Sequence, residues 1–394
     1  MEGRLHSLVD WLVGGAPDAD ELPAVLGELC ERLRAAGVPL YRAAILARTL
    51  HPNVMGVRVM WQEREDARLF TAPFAILESD DWTRSPVPYI ARTGTYVRRR
   101  LSAPDCPLDF KILEELRTEN VTDYLAMPLT FVSGERHVVS WTTHARDGFT
   151  LEHLAAFGAV EAPLARIVEI HLQRRVATTL LDTYVGHRTG ARILSGQIRL
   201  GHTEPIEAAI WLADLRGFTH LADTTRGPAV IDLLNDYFAC MVPPIEAHGG
   251  EVLKFMGDGL LAIFPLEREQ MPARVCAAVL VAARDARANV AAMNERFRVA
   301  GRPAVRFGLA LHVGELLYGN IGAANRLDFT AIGPGVNLSA RLEKVAGEIG
   351  RDVVVSAEFA RHCPEGLQHL GEFELRGFRS SQTVYGLPEM PSLE

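Results

Sequence analysis

Lysine is nearly missing from this chain: of 41 basic residues, only Lys111, Lys254 and Lys344 are lysine, and the rest are arginine. Each of the three therefore draws attention. Long apolar runs are missing too. No stretch reaches the roughly 18 uninterrupted apolar residues that a membrane helix needs, and the N-terminus has no basic segment followed by an apolar one. The expectation is a soluble, cytoplasmic protein with no membrane insertion. The five cysteines (Cys30, Cys106, Cys240, Cys276, Cys363) are odd in number, far apart and without paired metal-ligand spacing, which points away from a disulfide framework and from a zinc site. There is no basic excess either. A formal net charge of -8 argues against a nucleic-acid partner, so any anionic ligand has to be held by a local arrangement.

What is present is the balance of a folded protein, 394 residues with 48% hydrophobic and 23% charged, long enough for two or three domains. No internal repeat or low-complexity tract appears. Two β-rich runs, residues 42–48 and 54–62, flank the turn-prone His51-Pro52-Asn53, and a polar, Pro-containing stretch follows. Residues 124–131 and 137–143 form a second apolar pair about Ser133-Gly134-Glu135-Arg136, which reads as a hairpin. From Thr150 to about Leu181, apolar residues recur at helical spacing.

This order, with the run AMPLTFVSGERHVVSWTT followed by GFTLEHLAAFGAV, resembles a GAF-type sensor domain. The resemblance implies a regulatory α/β domain over residues 1–176 that receives an unknown small-molecule or protein signal. Residues 177–204 then read as a helical linker or transducer, because Gly and Arg interrupt the apolar periodicity between Thr183 and Gly201. A second domain is expected over 205–394. Its pattern runs strand (207–214), helix (about 228–248), hairpin (251–264), long helix (about 272–299), strand (305–314), strand (329–332) and helix (336–346). That order predicts an α+β domain with helices on one face of a largely antiparallel sheet.

Three places in this half carry chemistry. Asp214 ends an apolar strand in AAIWLADLRGFT, where a turn through Arg216-Gly217 sets a carboxylate beside free backbone N–H groups, an arrangement suited to a metal and a phosphate together. Taken alone, an Asp at a strand end is more often a turn or cap residue. Asp258 lies in GGEVLKFMGDGLLAIF, where Asp-Gly between two strand-like runs predicts a tight hairpin. If that tip packs beside the Asp214 strand, two carboxylates meet and can bridge a pair of Mg2+ or Mn2+ ions. Asn337 and Arg341, four residues apart in the helix after Gly333-Pro334-Gly335, share a face and can reach one ligand.

In order, DLRGFT, KFMGDG, HVGELLYGNIG and DFTAIGPGVNLSARLE closely resemble the catalytic domain of class III nucleotidyl cyclases. The resemblance implies a ferredoxin-like βαββαβ core and conversion of ATP to cyclic AMP and pyrophosphate. By the same resemblance, Asp214 and Asp258 bind two Mg2+ or Mn2+ ions with help from the Leu215 carbonyl. Gly217, Phe218, Thr219, Arg376 and Arg326 hold phosphates, while Asn337 orients the ribose and Arg341 contacts the α-phosphate.

Lys254 and Thr330 match the purine-recognising pair. A compact ammonium can approach a ring nitrogen where a guanidinium is too wide, and a Thr hydroxyl both donates and accepts, so the pair reads as adenine-specific. The family divides the metal aspartates and the other site residues between two catalytic domains. One chain here carries both sets, which implies a homodimer with two equivalent composite sites. The alternatives are guanylate specificity, which Lys254 opposes, and a silent nucleotide-binding module, which the filled Asp214, Asp258, Asn337 and Arg341 positions oppose.

Overall fold

A computed structural model of the chain describes residues 2–224, 227–266, 271–323 and 326–389; the last residues of the expected catalytic domain, 390–394, lie outside them. The chain divides into two units, residues 1–180 and 181–394.

In the first unit, helices α1 (Glu2–Val13) and α2 (Leu22–Ala35) precede strands β1 (Arg42–Arg48), β2 (Val54–Gln62) and β3 (Glu65–Pro73). Short helices α3 (Asp80–Thr83) and α4 (Pro86–Thr93), strand β4 (Val97–Arg99) and helix α5 (Lys111–Thr118) lead to the hairpin of β5 (Asp123–Thr130) and β6 (Arg136–Thr143). Helix α6 (Leu151–Val185) follows. The strands form one antiparallel sheet in the order β3-β2-β1-β6-β5-β4. Strand periodicity sorts its faces: Ala43, Ile45, Val57, Val59, Val139 and Trp141 point into the main core with α1, α2 and α6, where Trp141 stacks on Phe157 at 4.9 Å. Tyr124, Ala126 and Val138 face the other way, onto Leu113 and Leu116 of α5 and Ile90 of α4. The polar stretch after Gln62 holds strand β3, which the sequence pattern did not predict. None of its residues is buried, and it stands at the sheet edge, where charged residues are tolerated.

The second unit contains α7 (His187–Leu194), β7 (Thr203–Leu215), α8 (Phe218–Thr224), α9 (Gly227–Ala247), β8 (Glu251–Met256), β9 (Gly259–Pro265) and α10 (Pro272–Val299). After them come β10 (Phe307–Ala323), β11 (Arg326–Ile332), α11 (Pro334–Glu348), β12 (Val353–Ser356), α12 (Ala357–His362), β13 (Gln368–Phe373) and β14 (Gln382–Gly386). The sheet runs β13-β14-β12-β10-β7-β9-β8 with β11 paired to β10, and is antiparallel except where β10 lies parallel to β12. Segment 183–201, read from sequence as a break between domains, holds α7, which is anchored in this unit: Thr189 donates from both N and Oγ1 to Glu251 Oε1, at 3.0 and 3.2 Å.

The expectation of helices on one face is corrected. Ala209, Trp211 and Ala213 of β7 with Leu309 and Leu311 of β10 pack under α9 and α10, whereas Ala310 of β10 and Val354 of β12 pack under Leu342, Val345 and Ala346 of α11 on the opposite side. The reason lies in β10 itself: residues 307–313 are all buried, so both faces of that strand need cover.

Candidate active site

The buried stretch of β7 ends at Asp214, which is half-buried, and the chain turns at Gly217 with φ +70°, a conformation that favours glycine. Leu215 N donates to Asp214 Oδ1 at 3.1 Å. Beside this end lies the β8–β9 hairpin, since Ala213 pairs with Leu260 and a methyl group placed on Gly259 would stand 3.4 Å from Asp214 Oδ1. The hairpin loop is Gly257-Asp258, closed by the Met256–Gly259 pair, and not Asp258-Gly259 as the sequence signal had it. Gly257 takes the positive φ, +69°, at the first loop position, and Gly259 belongs to β9. This geometry brings Asp258 within hydrogen-bond reach of Asp214. Burial first, then the Asp258 charge and that shared hydrogen bond, push the Asp214 carboxyl up to about 7.

Glu343 of α11 adds to the negative field around Asp214, and burial raises its own carboxyl as well. Arg216 answers it. Its guanidinium stands 2.7 Å from Glu343 Oε1, poorly aligned as a hydrogen bond, and donates to the Glu343 carbonyl at 2.9 Å. Arg216 reaches it past Gly308 and Gly347, where an added methyl group would stand 1.8 and 2.6 Å from guanidinium nitrogens. The Arg216–Glu343 pair, 127 residues apart in sequence, had no signal in the pattern of the chain.

Among the described residues no three His, Cys, Asp or Glu side chains are grouped to hold a metal ion. The carboxylates that meet at this point are those of Asp214 and Asp258. That fits Mg2+ and Mn2+, which take one or two carboxylates and fill the remaining positions with water and substrate phosphates.

Phe218 and Thr219 open α8, whose first N–H groups have no intrahelical acceptors. Asn337 is exposed and Arg341 half-buried on α11, and neither side chain makes a hydrogen bond or ion pair among the described residues, with the two aspartates or with any other group. Arg326, at the start of β11, and Arg376, in the turn after β13, are exposed and also without such partners among the described residues. Lys254 donates to Asp328 Oδ2 at 2.8 Å. Thr330 lies two residues further along β11, on the same face as Asp328, and its hydroxyl is buried with no hydrogen-bond partner among the described residues. Sequence reading missed Asp328; the period of two in the strand was the available signal.

Residues 202–389 match the family of adenylate and guanylate cyclase catalytic domains. Among curated relatives, the adenylate cyclase of Anabaena cylindrica is 28% identical over 201 residues, which are 50% of this chain and 38% of the relative. Adenylate cyclase 1 of Rhizobium meliloti is 26% identical over 183 residues, 45% of this chain and 27% of the relative. The matches thus span well under half of the length of either relative. Among solved structures, the adenylyl cyclase CyaB from P. aeruginosa is 26% identical with a TM-score of 0.44, covering 48% of this chain and 98% of that one.

Proposed function

Because residues 202–389 form a class III adenylate and guanylate cyclase catalytic domain, we propose that the chain is an adenylate cyclase, converting ATP to 3′,5′-cyclic AMP and pyrophosphate at the interface of a homodimer. The observation that carries the reading is the pair of carboxylates, Asp214 and Asp258, held so close that the Asp258 charge, after burial, raises the Asp214 carboxyl. Two like charges so placed call for cations, and the family implies divalent metal ions. Bound there, two Mg2+ or Mn2+ ions supply activation of the attacking ribose oxygen and stabilisation of the leaving oxygen.

The chain's own residues do the rest. The free N–H groups of Gly217, Phe218 and Thr219 hold phosphate oxygens, with Arg376 and Arg326 reaching the terminal phosphates. Asn337 orients the ribose, and Arg341 presents its planar fork to the α-phosphate as negative charge develops. Lys254 and Thr330 read the adenine edge; the unpartnered Thr330 hydroxyl supports this, because a buried polar atom without a partner is unfavourable until a ligand supplies one. That the Asn337 and Arg341 side chains make no hydrogen bond or ion pair to the aspartates among the described residues is in keeping with a site shared between two copies. Purified protein incubated with Mn2+ and either ATP or GTP, followed by product separation, tests the reading. Cyclic AMP is the expected major product; no cyclic product from either nucleotide would sink it.

Base choice can be reversed. Glu at position 254 would face Asp328, so the test variant is Lys254→Glu with Asp328→Asn and Thr330→Cys. Its kcat/KM for ATP is expected to fall at least about tenfold while the GTP-to-ATP ratio rises, since the pocket's donors and acceptors are exchanged. A folded, active variant with unchanged ATP preference would remove these residues from the base site.

Regulation is assigned to the first unit, as a GAF-like sensor, acting through α6. The buried positions of that helix stop at Leu172, and Val176 and Leu180 are only half-covered, as a face awaiting a second copy would be. Inserting one residue after Gln173 turns the following face by about 100°, while inserting seven nearly restores its phase. Basal activity is expected to change strongly with the first insertion and little with the second. Equal activity in the parent and both insertions would reduce α6 to a tether.

A further inference from the structure

Helices α1, α2 and α6 pack one face of the sheet of the first unit; over the other, beside the cluster with α4 and α5, lies a cavity of about 880 Å³, within the range of small-molecule sites. Ala44 and Leu46 of β1, Met60 of β2 and Ser140 of β6 line it from the sheet, and Trp82 and Ile112 from the covering segments.

Charge around the cavity is out of balance. Three carboxylates line it, and each already has a cation: Asp81 has Lys111 at 2.5 Å, Glu114 has Arg84 at 2.9 Å, and Glu115 has Arg42 at 3.0 Å. Four more arginines line it, Arg48, Arg58, Arg92 and Arg136; Arg58 lies over the Phe70 ring, and none of the four forms an ion pair among the described residues. Strand register gathers them. Leu46 is paired with Arg58 on one side and Val138 on the other, so Arg48 and Arg136, each two residues further along, share the same face and the same end. Arg136 donates to the Arg92 carbonyl at 3.4 Å, which brings the last turn of α4 to that corner.

We infer that this cavity binds an organic anion, its apolar or aromatic body lying against Leu46, Met60 and Trp82 and its carboxylate, sulfonate or phosphate head held by Arg48 and Arg136. Guanidiniums take such heads through paired N–H donors, and Arg48 and Arg136, brought by the strand register to one end of this face with no ion pair among the described residues, have donors left for one. The inference goes beyond the cyclase reading and stands independently of it.

The test is fluorescence titration of the full chain with 8-anilinonaphthalene-1-sulfonate and, in parallel, with N-phenyl-1-naphthylamine, the same body without the charged head. The sulfonate is expected to bind saturably at one site per chain. Arg48 and Arg136 are exposed, so Arg48→Gln with Arg136→Gln leaves the fold intact; it is expected to weaken the sulfonate roughly tenfold or more and to leave the neutral dye unchanged. Ala44→Trp, which fills the cavity from the sheet, is expected to remove binding of both dyes. Absence of saturable sulfonate binding, or equal sulfonate affinity in the parent and the double-arginine variant, overturns the inference.

Discussion

Asp214→Asn and Asp258→Asn should each lower cyclic AMP production by about a thousandfold or more, a rise of roughly 4 kcal/mol in the barrier, with the protein still folded and dimeric. Each change removes one of the two carboxylates on which the proposed metal pair rests, and an amide is a poor substitute because it carries no charge to hold a divalent ion. The same substitution at Asp214 should act on stability in the opposite direction. Its carboxyl has a folded-state pKa raised from an ordinary value near 4 to about 7. The native state therefore holds a proton that the unfolded chain has lost, and the associated stability is complete at low pH and disappears as pH rises through about 7. Asn does not titrate. Without added metal, Asp214→Asn should melt at a higher temperature than the parent at pH 8, with the gap closing toward pH 5. Near-parental turnover in either variant would defeat the metal assignment; a mutant melting below the parent at pH 8 would show that the carboxylate pair is not strained.

Mixing two dead proteins should restore activity. In the proposed homodimer, Asp214→Asn lacks a metal ligand and Arg341→Ala lacks the phosphate-binding fork, so each mutant dimer has two damaged sites. In a mixed dimer, both lesions fall in one composite site and the other is whole. After subunit exchange, an equal mixture should regain roughly a quarter of parental activity, because random exchange makes half the dimers mixed and each carries one intact site of two. Cyclic AMP formation before and after exchange measures it. No recovery from proteins proven to exchange would mean that Asp214 and Arg341 serve the same site within one chain.

Much of the second unit could be read from its sequence, because α9, α10 and α11 each carry an apolar face at helical period and β7 carries a continuous apolar run. The hairpin at Asp258 announced itself through its glycines, although which residue pair made the loop depended on φ at Gly257 and not on the Asp-Gly signal. Edge strand β3 escaped because no side chain in it is buried, which leaves no apolar alternation to detect. The two-sided cover of β10 was written in its apolar run, interrupted only by His312 between Phe307 and Val313, a pattern that fits a strand buried on both faces better than the one-sided sheet expected from element order. Asp328 and the Arg216–Glu343 pair belong to a different kind of information. Their partners are remote in sequence and meet only once the sheet and α11 are assembled.

The passage of Arg216 between Gly308 and Gly347 also constrains how this domain can diverge. Neither glycine has a positive φ, so neither is required for its backbone conformation; each is required for the space its missing methyl group leaves. Alanine at either position is tolerable only if the guanidinium withdraws, and without it Glu343 keeps a buried charge with no partner. Positions 216, 308, 343 and 347 should therefore change as a set among descendants of this sequence, with small residues at 308 and 347 wherever arginine and glutamate persist, and larger ones only where both charges have gone.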